Sequence, residues 1–310
     1  MIFIYRTIDN KLQCRDEIEK DCWINLVNPT EAEINRVSAE TGLDYDFLKY
    51  PLDDEEIPRV EVEDDQAMII INVPIRTDDD IIYATIPLGM ILNDDYIVTV
   101  CLEDTNLLEE FNLSRIKGIA TFKKTRFIFH TLNRKTTLFL RYLRDINRRA
   151  EKMEAELTKS MKNKELLALL NFQKSLTYFS TSLRYNAKVM NRLLRGKTIK
   201  MYEEDVDLLE DVIIENSQAI EMAEIYGNIT KSTTDAFSSM ISNNLSTTMK
   251  LLTSITIILA IPTMIASFWG MNVSVPFENS GSIFGFVIIL VAALIACIFC
   301  IILLRKKDML

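Results

Sequence analysis

Hydrophobic and polar positions follow two different periods along this chain, and the change from one to the other divides it. In the first part, apolar residues come in short runs rich in β-branched and aromatic side chains: Ile2–Ile8, Trp23–Val27, Ala67–Ile75, Ile81–Ile91 and Tyr96–Cys101. Each run predicts a strand, and Asn93-Asp94-Asp95 supplies a hairpin turn between the last two. Thr30-Glu31-Ala32-Glu33 is a capping box, in which hydroxyl and carboxylate satisfy the free N–H groups of a first helical turn. It predicts a helix that starts at Thr30 and stops at Gly42. Strands interleaved with helix predict an α/β domain over residues 1–120.

From about Lys123 the period is helical and stays so. Thr125–Met161 and Lys164–Leu194 are long, charged, amphipathic segments joined near Met161-Lys162-Asn163-Lys164. They predict a long antiparallel helical hairpin over residues 121–200, ended by the break at Arg195-Gly196-Lys197. After Tyr202 only Gly227 weakens the pattern, at a cost of about 1 kcal/mol, and no proline occurs between Pro87 and Pro262. One helix from Glu203 to Phe268 would contain 66 residues, roughly 100 Å at the α-helical rise. Residues 201–248 would be a stalk ahead of a membrane segment. No helix of that length is stable alone in water. The hairpin would partner part of it and copies of the same chain the rest.

Composition changes the picture only through its distribution. Charged residues make up 25% and apolar ones 48%, which is ordinary, but from Leu251 to Leu304 the single charged residue is Glu278. Met249 to Phe268 gives 20 residues and Ile283 to Leu304 gives 22, against the roughly 20 that a helix needs to cross a bilayer. Residues 249–270 and 283–304 therefore predict two C-terminal transmembrane helices, with 271–282 as the connecting loop and 305–310 as a basic tail. A buried pair of core helices would explain the apolar character but not the charge depletion and the hydrophilic loop together. Lys250 precedes the first span and Arg305-Lys306-Lys307 follow the second, whereas the loop has no Lys or Arg. By the positive-inside rule both termini are expected in the cytoplasm of a multi-pass plasma-membrane protein. The opening MIFIYRTIDN has no basic stretch before a long apolar core, so no cleaved signal peptide is expected.

Little points to catalysis. Cys14, Cys22, Cys101, Cys297 and Cys300 form no zinc-type array. Cys297 and Cys300, though spaced as CxxC, fall inside the second span as small lipid- or helix-facing residues. The lone His130 is read as structural. No nucleophile–base pair is recognisable, so an enzyme is not expected, nor is a nucleic-acid partner.

The first span carries one informative stripe. Alternate steps of four and three residues run through Ser242, Ser246, Met249, Thr253, Thr256, Ala260, Thr263, Ser267 and Gly270, which keeps them on one helix face. Small and hydroxyl side chains there either let helices pack closely or line a water-filled path within a ring of identical helices. The stripe alone leaves both open, and the ending Trp269-Gly270-Met271-Asn272 favours the path. Gly270 can take left-handed backbone angles for a tight exit, after which Asn272 offers an amide at the mouth. Several such amides around an axis make a neutral polar ring. That ring suits magnesium, which dehydrates reluctantly and keeps several waters. Fixed carboxylates in the path would hold the ion too tightly for conduction, and the span has none.

These residues resemble the CorA family of magnesium/cobalt transporters. Gly270-Met271-Asn272 matches the family signature, followed by a short external loop, a second span and a basic tail. Met249-Lys250-Leu251-Leu252-Thr253, Ile261-Pro262-Thr263 and, more weakly, Ile57-Pro58-Arg59-Val60-Glu61 extend the match. The resemblance implies a homopentameric funnel with an N-terminal cytoplasmic α/β domain, a long helical stalk, a pore-lining first span and a second span ringing it. It places Gly270, Met271 and Asn272 at the selectivity filter and Met249 and Leu252 at a narrow hydrophobic constriction. Thr256 and Thr263 fall along the path and Asp235 near the cytoplasmic mouth. The sequence departs from the family in Val275-Pro276-Phe277-Glu278, where many relatives read Met-Pro-Glu. It departs again in Trp269, where a tyrosine is usual, and in Ser246, where some members place asparagine. The ion is accordingly open among Mg2+, Co2+, Ni2+ and Zn2+.

From Glu203 to Glu224 the stalk holds nine carboxylates and no Lys or Arg, and Asp78-Asp79-Asp80 form a second anionic group. In a symmetric ring such groups would repel unless cations intervene. The expectation is that internal Mg2+ bridges Asp78, Asp79 and Asp80 of one subunit to Asp211 of its neighbour and holds a closed state, acting through its differential affinity for two states. No GxxxxGK[ST] loop is present. The membrane potential supplies about 2.3 kcal/mol per charge per 100 mV, hence about 4.6 for a divalent ion, so a channel-like conduit fits better than a pump. A zinc transporter on the same scaffold and a membrane-anchored scaffold or signalling protein are the competing readings.

Overall fold

A computed structural model describes residues 1–9, 11–77, 83–105, 120–160, 163–196, 198–271, 283–307 and 309. By contact density the chain divides into two compact units, Met1–Thr234 and Asp235–Leu310.

The first unit is built on a sheet of strands β1 (Ile2–Ile8), β2 (Lys11–Arg15), β3 (Trp23–Val27), β4 (Arg59–Glu63), β5 (Gln66–Arg76), β6 (Tyr83–Leu92) and β7 (Ile97–Cys101), in the order β2-β1-β3-β7-β6-β5-β4. Neighbours are antiparallel except β3 and β7, which run parallel with Trp23 opposite Ile97. The chain between β3 and β4 carries helices α1 (Glu31–Thr41) and α2 (Tyr45–Lys49) and a 3-10 turn at Tyr50–Leu52. The capping box at the start of α1 is complete: Glu33 N–H donates to the Thr30 hydroxyl, and Thr30 N–H donates to the Glu33 carboxylate. Gly42 ends the helix at φ 70°, a left-handed conformation that glycine adopts without steric cost. The Asn93 turn is also as expected, its side chain accepting from Asp95 N–H and Tyr96 N–H.

Strand periodicity sends alternate residues to opposite faces, and both faces of this sheet are buried. Met68 and Ile70 join Ile24, Leu26, Val37 and Phe47 under α1 and α2. Ile69, Ile71 and Val73 join Trp23, Phe127, Leu132, Met190 and Leu209 on the other side. That second layer comes from helices α3 (Lys124–Ser160), α4 (Asn163–Arg195) and α5 (Glu203–Trp269). The Trp23 indole N–H donates to Thr99 Oγ1 at 2.8 Å, and that hydroxyl donates to Asn25 Oδ1 at 2.8 Å, so the polar atoms at the sheet centre are satisfied. Helix α5 runs unbroken for 67 residues with Pro262 inside it. Its final part and helix α6 (Ile283–Lys306) make up the second unit. Two strands, β2 and β4, and the short α2 were not anticipated from the sequence.

Candidate functional site

Helix α5 carries most of the residues expected to meet an ion. Met249, Leu252, Thr253, Thr256, Ala260, Thr263, Ser267 and Gly270 are all exposed. Along the same stretch the covered positions are Ser254, Ile258, Ile261, Pro262, Ile265 and Trp269. At about 100° per residue the two sets occupy opposite faces. Helix α6 does the covering. Its own covered or partly covered positions include Gly285, Ala293, Ala296, Cys297 and Cys300. Within one chain, then, the hydroxyl stripe is not the seam that α6 fills.

A proline explains one contact of that seam. Pro262 has no N–H, so the carbonyl four residues back, Ile258, lacks its helical donor. The Cys297 thiol donates to that carbonyl at 3.7 Å, a weak bond placed where an orphaned carbonyl in hydrocarbon costs several kcal/mol. Cys297 and Cys300 are accordingly helix-facing, half-buried free thiols.

The threonines of the stripe share one geometry. Thr253, Thr256 and Thr263 donate their hydroxyl hydrogens to the carbonyls of Met249, Leu252 and Leu259, at 2.8, 2.9 and 2.9 Å. Each hydrogen is thereby committed to the helix itself, and the oxygen lone pairs are left as acceptors on the exposed face.

One expectation is corrected. Gly270 does not take left-handed backbone angles: its N–H still bonds to the Ala266 carbonyl at 3.0 Å, as the last turn of the helix requires. A Cβ there would stand 3.4 Å from the Ala266 oxygen, an ordinary van der Waals contact. Met271 is exposed. Asn272, with the rest of the loop through residue 282, lies outside the described residues, as do Asp78, Asp79 and Asp80.

The acidic stretch of α5 is partly used within the chain. Asp205, 3% exposed, accepts from Arg126 Nε at 3.0 Å and from Tyr202 N–H at 3.2 Å, so it both pairs with α3 and caps α5. Glu204 also accepts from Arg126, and Glu224 pairs with Arg184 of α4 at 2.6 Å. Asp211 and Asp235 are exposed. Among the described residues no group of three or more His, Cys, Asp or Glu side chains is placed to hold a metal. His130 is half-buried on α3, and burial, helped by Arg126 and Arg134, holds its pKa below the usual imidazole value. Sequence reasoning missed Ser254, which is 0% exposed and bonded to the chain beyond α6. Its signal was a lone hydroxyl on the apolar face of the span.

Two long apolar helices at the end of an α/β and helical unit, with a polar stripe on the outer face of the first, define a membrane protein of the two-span ion-transporter class. A family model described as CorA-like Mg2+ transporter protein matches residues 19–306, and the chain belongs to that family. Its members are ion transporters, not enzymes. The chain is 28% identical over 283 residues to the cobalt/magnesium transport protein CorA of Methanocaldococcus jannaschii, covering 88% of this chain and 87% of that protein. It also resembles the complete structure of the CorA magnesium transporter from Methanocaldococcus jannaschii, with TM-score 0.82 and 25% identity over 99% of this chain and 98% of that one. The full-length CmaX protein shares the fold at TM-score 0.72 and 13% identity, covering 98% of this chain and 97% of that one.

Proposed function

We propose that the protein is a homopentameric plasma-membrane conduit for hydrated divalent cations, with Mg2+ the first candidate and Co2+, Ni2+ and Zn2+ its competitors. The observation that carries this reading is the exposed face of α5, opposite the face covered by α6, where threonine oxygens have committed their hydrogens elsewhere. Such oxygens can only accept. The water shell of a cation points its hydrogens outward and donates to them. Five copies around an axis would stack rings of acceptors at Thr253, Thr256 and Thr263. Met249 and Leu252 would form the apolar narrowing below them.

Gly270, Met271 and Asn272 would form the outer collar, where the Asn272 amide holds the ion through its water. Both termini would lie in the cytoplasm, with Asp235 near the inner mouth, and the membrane potential would drive inward flux. Falling internal Mg2+ would release the bridge between Asp78, Asp79 and Asp80 of one subunit and Asp211 of the next and so open the ring. Uptake by purified protein in liposomes, with the four metals compared side by side, tests the reading. The expected result is Mg2+ uptake that falls at least about tenfold in Asn272→Ala, the loss of roughly one well-placed polar contact. A wild-type rate in that variant would remove the collar, and no flux of any metal would remove the conduit.

A further inference from the structure

From Thr247 onward the threonines of α5 obey one rule that a neighbouring serine breaks. Thr247, Thr248, Thr253, Thr256 and Thr263 each donate to the carbonyl four residues back, the default for a hydroxyl on a helix in an apolar medium. Ser254 donates instead to the carbonyl of Met309 at 2.7 Å, and it is 0% exposed on a helix whose next residues on either side are open.

A hydroxyl leaves its local acceptor only for one held in place, and this acceptor is held. Beyond α6 the Lys307 N–H bonds to the carbonyls of both Leu303 and Leu304 at 3.2 Å, and the Met309 N–H bonds to Leu304 at 3.1 Å. The bond to Met309 spans five residues, where a continuing α-helix would span four. Leu304, 5% exposed, anchors the turn beneath it. Ser254 and Ile258 are one turn apart on α5 and face the same way. The Met309 carbonyl and the Cys297 thiol are therefore two fastenings on a single seam.

We propose that Met309, held through its backbone carbonyl by Ser254, is a strap that fixes the end of α6 to the back of α5. The strap uses the backbone of Met309 and not its side chain. It sets where Arg305, Lys306 and Lys307 stand against α5, on the face of α5 that Lys250 shares one turn before Ser254. It holds whether or not the opposite face conducts ions.

Hydrogen exchange on the full chain in lipid nanodiscs tests it. In Ser254→Ala the Met309 amide is expected to exchange about tenfold faster, as loss of one buried hydrogen bond implies, while Met309→Ala exchanges like the wild type. A chain ending at Lys307 lacks the acceptor and is expected to lower Tm by about 3 °C, by the same amount as Ser254→Ala, with no further drop when the two are combined. Unchanged exchange at Met309 in Ser254→Ala, or additive Tm shifts, overturns the strap. Should Ser254→Ala fail to assemble, the shortened chain decides alone, because it keeps the serine: an unchanged Tm there is equally fatal.

Discussion

Gly89 on β6 faces the 3-10 turn so closely that an added Cβ would lie 2.1 Å from Pro51 Cγ and 2.8 Å from its Cβ. Pro51 is buried and its ring is rigid, so the turn itself would have to move. Gly89→Ala is therefore expected to destabilise the protein by about 3 kcal/mol, the upper range for overpacking. Gly227 in α5 is the contrast: a Cβ there meets only Leu176 Cβ at 4.0 Å, and Gly227→Ala should stabilise by up to about 1 kcal/mol. Thermal unfolding of the full chain followed by circular dichroism reads both. Asp145 is governed by charge. Burial alone would raise its pKa, but hydrogen bonds from Tyr83, Arg149 and Arg148 outweigh this and hold it down to about 2. Burial and the same Asp145 contact push Tyr83 up to about 12. A depressed carboxylate stabilises the fold above its ordinary pKa of 3.8 and loses that contribution as the pH falls toward 2. Asp145→Asn should thus cost about 2 kcal/mol at neutral pH and much less at pH near 2, read from melting curves across that range. The two arginines are local to Asp145, at i+3 and i+4 on α3, but its bond with Tyr83 joins distant elements and does not announce itself in the sequence.

Elements were more legible, and the misses have a cause. Long apolar runs and the Thr30 box marked β1, β3, α1, α3 and α4 nearly to the residue, since burial on one or both faces and cap chemistry write themselves into local pattern. Strands β2 (KLQCR) and β4 (RVEVE) are sheet edges, largely exposed and charged, so they lack the apolar signature that marks an interior strand. The edge at β4 hides another device. Arg59 opposite Ile70 ends the β4 ladder, which leaves the outward N–H and C=O of Asn72 without a strand partner. The Asn186 amide of α4 takes both, accepting from the N–H at 2.8 Å and donating to the C=O at 2.7 Å. Asn186→Leu would strand the two groups and is expected to cost about 3 kcal/mol in equilibrium denaturation, while a surface substitution on the same helix, such as Lys188→Gln, changes little.

At the scale of the whole molecule, the sequence indicated which face of α5 is polar but not which face α6 covers. The latter depends on pairing between the two spans, which a one-chain pattern does not record. The acidic stalk was legible as charge and not as pairing, since Arg126 and Arg184 reach it from other helices. Asp211 stays exposed after those pairs are made, so its removal tests regulation without disturbing the fold. Asp211→Ala is expected to raise by several-fold the internal Mg2+ needed to halve uptake in loaded liposomes, with Tm unchanged, and unaltered inhibition would discard the intersubunit bridge. Pro262 has a mechanical consequence of its own. Every other level of that rod resists bending because a backbone bond must stretch, but at the Ile258 carbonyl the rod owns no such bond and yields against a single sulfur contact. Any flexing of the outer half of the helix should therefore concentrate there, making the joint between Ile258 and Pro262 its softest point.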